Sequence, residues 1–178
     1  MADSILTYSG TRFYPLDPKP EQIHMEDIAH ALSFICRGNG HVHQFFSVGQ
    51  HCIRCAKEAA LRGFSNRIVL ACLLHDATEA YLSDVPRPFK KNLANYQKLE
   101  EQLLTVIFQK YLNTPLTEEE ARIVKAIDDD LLWYDLTELL KEPAITPAPA
   151  VHVDITYDFQ PFSEVEQEYL ELFEAYRK

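Results

Sequence analysis

Along most of the chain, apolar residues return every three or four positions, the period of a helix with one buried face. Met25, Ile28, Leu32 and Ile35 keep this step from about Ile23, and Gly38-Asn39-Gly40 ends the run. Ser47-Val48-Gly49-Gln50 has the form of a capping box, so a second helix opens there and carries His51. Gly63 closes it, and Ser65 or Asn66 caps a third. Ile68 to Leu74 is apolar on every side, which predicts the central and most buried helix. That helix is expected to run through His75 and Glu79 until Ser83-Asp84-Val85-Pro86-Arg87-Pro88 breaks it. Tyr96, Leu99, Leu103, Ile107 and Tyr111 mark a long amphipathic helix. Thr117-Glu118-Glu119-Glu120 is a second capping box, continued by Ile123, Ile127, Leu131 and Leu132. Ser163-Glu164-Val165-Glu166 caps a last helix bearing Tyr169, Leu172, Phe173 and Tyr176, which reads as core or oligomer surface.

Two stretches depart from the helical period. Residues 1–20 are irregular, with Tyr8, Phe13 and Tyr14 set among Gly10, Pro15, Pro18 and Pro20. Phe13 and Tyr14 are read as a lid packed on the core, ahead of a surface for stacking a base. Pro143 to Pro149 form a connection, after which Val151, Val153 and Ile155 alternate with polar residues, the pattern of a short strand or extended segment near 151–156. There is no internal repeat and no domain boundary. The expectation is one all-α domain over residues 1–178, a bundle of about six helices.

Composition narrows the function classes. The chain has 178 residues, only 5 of them glycine, which argues against a loop-rich β fold. A net charge of -10 disfavours a partner such as a nucleic-acid polymer or an anionic membrane, since both call for a basic surface. No apolar run approaches the ~20 residues that span a bilayer, and Met1-Ala2-Asp3-Ser4 lacks the features of a signal peptide. Cys36, Cys52, Cys55 and Cys72 sit in apolar contexts and are expected as free thiols in the cytoplasm. Cys52 and Cys55 have CxxC spacing without a second pair or a βαβ context, so core packing explains them better than redox chemistry.

The chemistry lies in His75-Asp76-Ala77-Thr78-Glu79, which puts an imidazole and two carboxylates on an apolar helix. Desolvating charge is costly without a partner, and a divalent ion is the simplest one. Imidazole nitrogen with carboxylate oxygen suits Mn²⁺, Co²⁺, Fe²⁺ or Zn²⁺. Further ligands must come from other helices; His51 and one aspartate of Asp128-Asp129-Asp130 are the candidates. The competing reading makes His75 a hydrogen-bonded core histidine with Asp76 as its partner. Glu79 and Asp84, so close by, weigh against it.

A histidine, a later His-Asp pair and a distal aspartate, in this order and spacing, resemble the HD-domain metal-dependent phosphohydrolases. The matching positions are His51, His75, Asp76 and Asp128, and the resemblance covers roughly residues 8 to 142. Ser47 to Cys52 and Val124 to Asp128 resemble the stretches around the first and last ligands. His75 to Glu79 followed by Asp84-Val85-Pro86 looks closest to the small 5'-deoxynucleotidases and the phage-type dATP triphosphohydrolases; Glu26 to Ser33 resembles the latter. The resemblance implies one divalent ion on the four ligands. It also implies that Glu79 and Asp84 position or activate water and that Arg37 contacts phosphate. An aromatic residue usually follows that arginine, whereas here Gly38 does, so the base contact does not carry over.

Four ligands leave positions open on a six-coordinate ion, as a hydrolytic site needs. Glu79 can accept the water proton or protonate the leaving oxygen; Asp84 can orient water or a sugar hydroxyl. Arg37 leads the candidates for phosphate, ahead of Arg87, Lys90 and Lys91, with His41 and His43 near the second helix. Mg²⁺ is an expected helper at the phosphates. The expected function is a 5'-(deoxy)nucleotidase on nucleoside monophosphates, in a homo-oligomer. The alternatives are a triphosphohydrolase releasing nucleoside and triphosphate, and a helical module that senses a nucleotide without turning it over.

Overall fold

The computed structural model describes residues 3–144 and 147–177. Ser47 accepts from the Gln50 N–H at 3.1 Å while the Gln50 side chain returns to the Ser47 N–H at 2.9 Å. That reciprocal cap opens α2 (Val48–Leu61). Thr117 and Glu120 repeat the arrangement at the start of α7 (Glu118–Tyr134). The other long helices are α1 (Met25–Phe34), α3 (Asn66–Leu74), α6 (Ala94–Leu112) and α8 (Phe162–Tyr176). These are the six expected helices of an all-α fold. Two four-residue helices, α4 (Glu79–Leu82) and α5 (Arg87–Lys90), lie between α3 and α6. None of the helices is long and apolar enough to cross a membrane.

α2 packs against α3, α1, α8 and α7, and α1 packs against α8. Gly49 allows the close crossings of α2 with α1 and α8, since a Cβ there would meet the Leu32 carbonyl oxygen at 3.2 Å and Val165 at 3.2 Å. Seven consecutive residues of α3, Ile68 to Leu74, are buried, as an all-round apolar run requires. One core cluster joins Phe13, Ile28, Leu32, Cys52, Leu73, Leu103, Ile127, Leu131 and Tyr169. The N-terminal residues form a small antiparallel hairpin of β1 (Ile5–Leu6) and β2 (Arg12–Phe13). Ser9 pins it to Asp27 of α1 through its N–H at 2.6 Å and its hydroxyl at 2.9 Å. Phe13 is fully buried and stacks on Tyr81 at 4.2 Å, so it belongs to the core; Tyr14 stays 40% exposed.

Several boundaries differ from the pattern-based expectation, each for a local reason. α1 ends at Phe34, ahead of Gly38, because the chain then pairs with the approach to α2: Arg37 N–H donates to Phe46 and Val48 N–H to Ile35. Arg37–Gly40 is a 3-10 turn in which Gly38, Asn39 and Gly40 all take positive φ. α8 begins at Phe162 after Pro161, so Ser163 lies inside the helix rather than capping it. Residues 151–156 pair with no strand; they form an irregular strap across α2.

The largest correction concerns His75. The expected helix through Glu79 stops at Leu74, and residues 75–78 are a turn. His75 Nδ1 lies 2.7 Å from the Cys72 carbonyl oxygen and donates to it. That oxygen is the one the Asp76 N–H would take in a continuing α-helix. The chain tightens to i−3 bonds instead, Ala77 to Leu74 and Glu79 to Asp76, each 3.0 Å.

Candidate metal centre

Three elements deliver donors to one point in the interior. His51 and Cys55 stand one turn apart on α2, both buried. The turn after α3 supplies His75 and Asp76, and α7 supplies Asp128. His51 Nε2 lies 3.2 Å from Asp128 Oδ1 and 3.5 Å from Cys55 Sγ. His75 Nε2 lies 3.3 Å from Asp76 Oδ2 and 3.7 Å from Asp128 Oδ1. The sequence-derived set His51, His75, Asp76 and Asp128 is therefore brought together. Within a common 4.8 Å span stand His51, Cys55 and His75, and likewise Cys52, His75 and Asp76. The protein thus carries His, Cys and Asp groupings that can hold a metal ion.

The donors fit such an ion because one of them lacks a partner. His75 Nδ1 is occupied by the Cys72 carbonyl, which leaves Nε2 buried with no hydrogen bond and facing two carboxylates. An unsatisfied buried nitrogen costs about 1–3 kcal/mol. A cation among these lone pairs removes that penalty. Without one, protons substitute. Burial opposes charge on His75, but Asp76, Cys52 and Asp128 outweigh it and hold the ring well above its ordinary pKa. For His51, burial and Arg37 oppose charge, and Cys55, Asp128 and Asp135 prevail. Burial works against ionisation of Asp76 and Asp128 as well, yet the imidazoles keep both well below the usual carboxylate range.

Sequence reasoning missed Asp135. It follows α7 in a π-helical turn, Asp135–Leu139, and is 2% exposed. Oδ2 accepts from Arg37 Nε at 3.3 Å and Nη2 at 3.2 Å; Oδ1 accepts from the Tyr157 hydroxyl at 2.9 Å. His51 Nδ1 is 3.0 Å from the same Oδ2, paired by charge though off the hydrogen-bonding direction. One carboxylate thus contacts both a candidate ligand histidine and an arginine. The signal was available: Asp135 stands seven residues after Asp128, on the same helical face. Asp129 and Asp130 serve the surface, with Arg87 and Arg62 as partners.

Glu79 is 4% exposed, and its Oε2 is buried without a hydrogen bond. Burial first, then Asp76 and Asp84, push its carboxyl well above the ordinary value, against the pull of Arg37 and Lys90. Asp84 is also raised, by burial and Asp76 against the pull of Arg37, Lys90 and the Gly38 N–H. Arg37 reaches the centre, with Nη1 3.4 Å from Asp76 Oδ2. Lys90 is bound to Glu100 at 2.6 Å and feels Glu79 and Asp76 from the rim. Arg87 caps the far oxygen of Asp128 at 2.7 Å. His41 is exposed at the end of the 3-10 turn, and its side chain makes no hydrogen bond or ion pair among the described residues; His43 and Lys91 are exposed too.

A cleft of about 320 Å³ between α6 and α7 reaches this point. His75 and Asp128 lie at its inner end, and Leu104, Phe108, Leu116 and Val124 form its walls. A larger cavity of about 720 Å³ lies on the other side of α2, under the 152–160 strap. Its lining holds none of the centre's donors; Arg54, between the rings of Phe46 and Tyr157, lines it and lies 3.9 Å from Asp135.

No family model matches the chain. It is 40% identical over 140 residues to the uncharacterized protein YfdR of Escherichia coli, covering 72% of this chain and 76% of that protein. It is 36% identical over 126 residues to an uncharacterized protein of Rhodobacter capsulatus, covering 67% of this chain and 64% of the relative.

Proposed function

The chain belongs to the family of Escherichia coli YfdR, and from its buried centre we propose that it is a metal-dependent phosphohydrolase of the HD type. The reading is carried by one observation: two imidazoles and two carboxylates converge where His75 Nε2 has no other partner. His51, His75, Asp76 and Asp128 would hold a divalent transition ion. Such an ion supplies a Lewis acid and water activated near neutral pH. The proposed substrate is the 5'-phosphate ester of a (deoxy)nucleoside monophosphate.

The chain's own groups suit the remaining tasks. Glu79, whose buried carboxyl is raised toward its protonated form, suits proton donation to a leaving alkoxide oxygen. Asp84, beside the Gly38 N–H, orients the water or a sugar hydroxyl. Arg37 meets the phosphate, kept in place by Asp135. Lys90 and Arg87 add positive charge at the rim, the places open to Mg²⁺-bridged phosphates lying beyond them. The apolar cleft between α6 and α7 accommodates the base. The four free cysteines suit a reducing compartment, and the proposed setting is the cytoplasm.

The test is a panel of deoxy- and ribonucleoside mono-, di- and triphosphates, assayed with Mn²⁺, Co²⁺, Fe²⁺, Zn²⁺ and Mg²⁺ on metal-stripped protein. Phosphate release from monophosphates, lost in Asp76→Ala, is the expected result. Intact triphosphate as product assigns the triphosphohydrolase activity instead. A wild-type protein that neither retains metal nor hydrolyses any nucleotide sinks the proposal.

A further inference from the structure

We propose that Cys55 is itself a metal ligand, so that the ion is bound by a mixed set of nitrogen, oxygen and sulfur. The inference rests on the metal reading above and narrows which metal the centre takes.

The geometry begins on α2. His51 and Cys55 project from one helical face, and both are buried. Cys55 Sγ lies 3.5 Å from His51 Nε2, the same nitrogen that faces Asp128 Oδ1 at 3.2 Å. The thiol therefore flanks the point on which the other donors converge. Across that point stands His75, with Nε2 buried and without a hydrogen bond and with a ring nitrogen within 4.8 Å of donor atoms of both Cys55 and His51. Its side chain is 10% exposed. This buried nitrogen without a hydrogen bond independently marks a point where a further partner fits.

Core packing accounts for a buried thiol as a small apolar group. It gives no reason for that thiol to stand among the nitrogens of two imidazoles. Cys52 is the alternative sulfur. It shares its 4.8 Å span with His75 and Asp76, and so approaches the opposite edge of the centre. Cys55 shares its span with both ring nitrogens, which makes it the better-placed donor.

The chemical consequence is selectivity. Cys55 would bind as thiolate, giving its proton to solvent as the ion enters. A thiolate among imidazole and carboxylate donors favours Zn²⁺, Co²⁺ or Fe²⁺ and disfavours Mn²⁺ and Mg²⁺. Five side-chain donors leave one position of a six-coordinate ion for water.

The experiment is cobalt substitution of the full chain, read by electronic absorption. The wild-type protein is expected to show a near-ultraviolet thiolate-to-cobalt charge-transfer band. Cys55→Ser should lose that band while still taking up cobalt, and Cys52→Ser should keep it. Cobalt uptake without the band in the wild type overturns the sulfur ligand and leaves the metal centre standing, whatever the variants do. Persistence of the band in Cys55→Ser overturns it equally. Absence of cobalt uptake in the wild type overturns this proposal together with the metal reading.

Discussion

α2 carries two buried charged nodes, and they are built in opposite ways. Near its C-terminal end, the Glu58 carboxylate is fully buried and completely answered. Oε1 accepts from Arg62 Nε at 2.7 Å and His152 Nδ1 at 3.0 Å; Oε2 accepts from the N–H groups of His152 at 2.8 Å and Val153 at 2.9 Å. Near its N-terminal end, His51 shares a space with His75, Asp76, Asp128 and Glu79, where His75 Nε2 and Glu79 Oε2 remain unpaired. Glu58 and His51 are both fully buried; the two nodes differ in completeness. A satisfied polar cluster fastens the 152–153 strap to the bundle. An unsatisfied one has room for a further partner.

The contrast breaks if substitutions at the two nodes have the same consequences. Glu79→Gln should lower hydrolysis by about 10²–10⁴-fold with metal content and thermal stability kept, as measured by single-turnover rates and metal analysis. Glu58→Gln should do the reverse, costing about 3 kcal/mol in denaturant unfolding while leaving metal uptake intact. The same residue predicts a pH signature. Although burial opposes its charge, bonds from His152 and Arg62 lower the Glu58 carboxyl from 4.5 to about 2 in the folded state. Its stabilisation is therefore complete above the unfolded value and is lost as pH falls toward 2. Glu58→Gln should flatten that acid slope.

Asp135→Asn sharpens the comparison, since Asp135 adjoins the incomplete node yet lies outside the proposed ligand set. Metal affinity is expected to fall about 10–100-fold, read by chelator competition, because the amide no longer backs His51 with charge. The smallest effect is expected of His152→Ala. It deletes one of four bonds to Glu58 and should cost about 1 kcal/mol of stability with no change at the centre.

What the sequence disclosed was whatever depended on neighbouring residues. Ser47 with Gln50, and Thr117 with Glu120, close their caps within four residues, and both helices start where the pattern placed them. The four ligand candidates were legible because their residue types are rare in apolar helices, and the fold brings them together. The end of α3 was not legible, since it turns on an imidazole bonding back to Cys72. Asp135 was hidden differently. Its role depends on Arg37 and Tyr157, 98 positions before it and 22 after, which no local window contains. Cys55 was visible one turn from His51, but an isolated thiol in an apolar run carries no mark of what it faces.

The bond between His75 and the Cys72 carbonyl does two jobs with one proton. It ends a helix, and it turns the free nitrogen of the ring toward the carboxylates. Backbone shape and binding chemistry are thus tied at a single atom. A descendant that lost the imidazole would release that carbonyl to the Asp76 N–H and let α3 lengthen, carrying Asp76 and Glu79 around the helix axis. Decay of the site would be written into the main chain, where a relative could be recognised by its longer third helix.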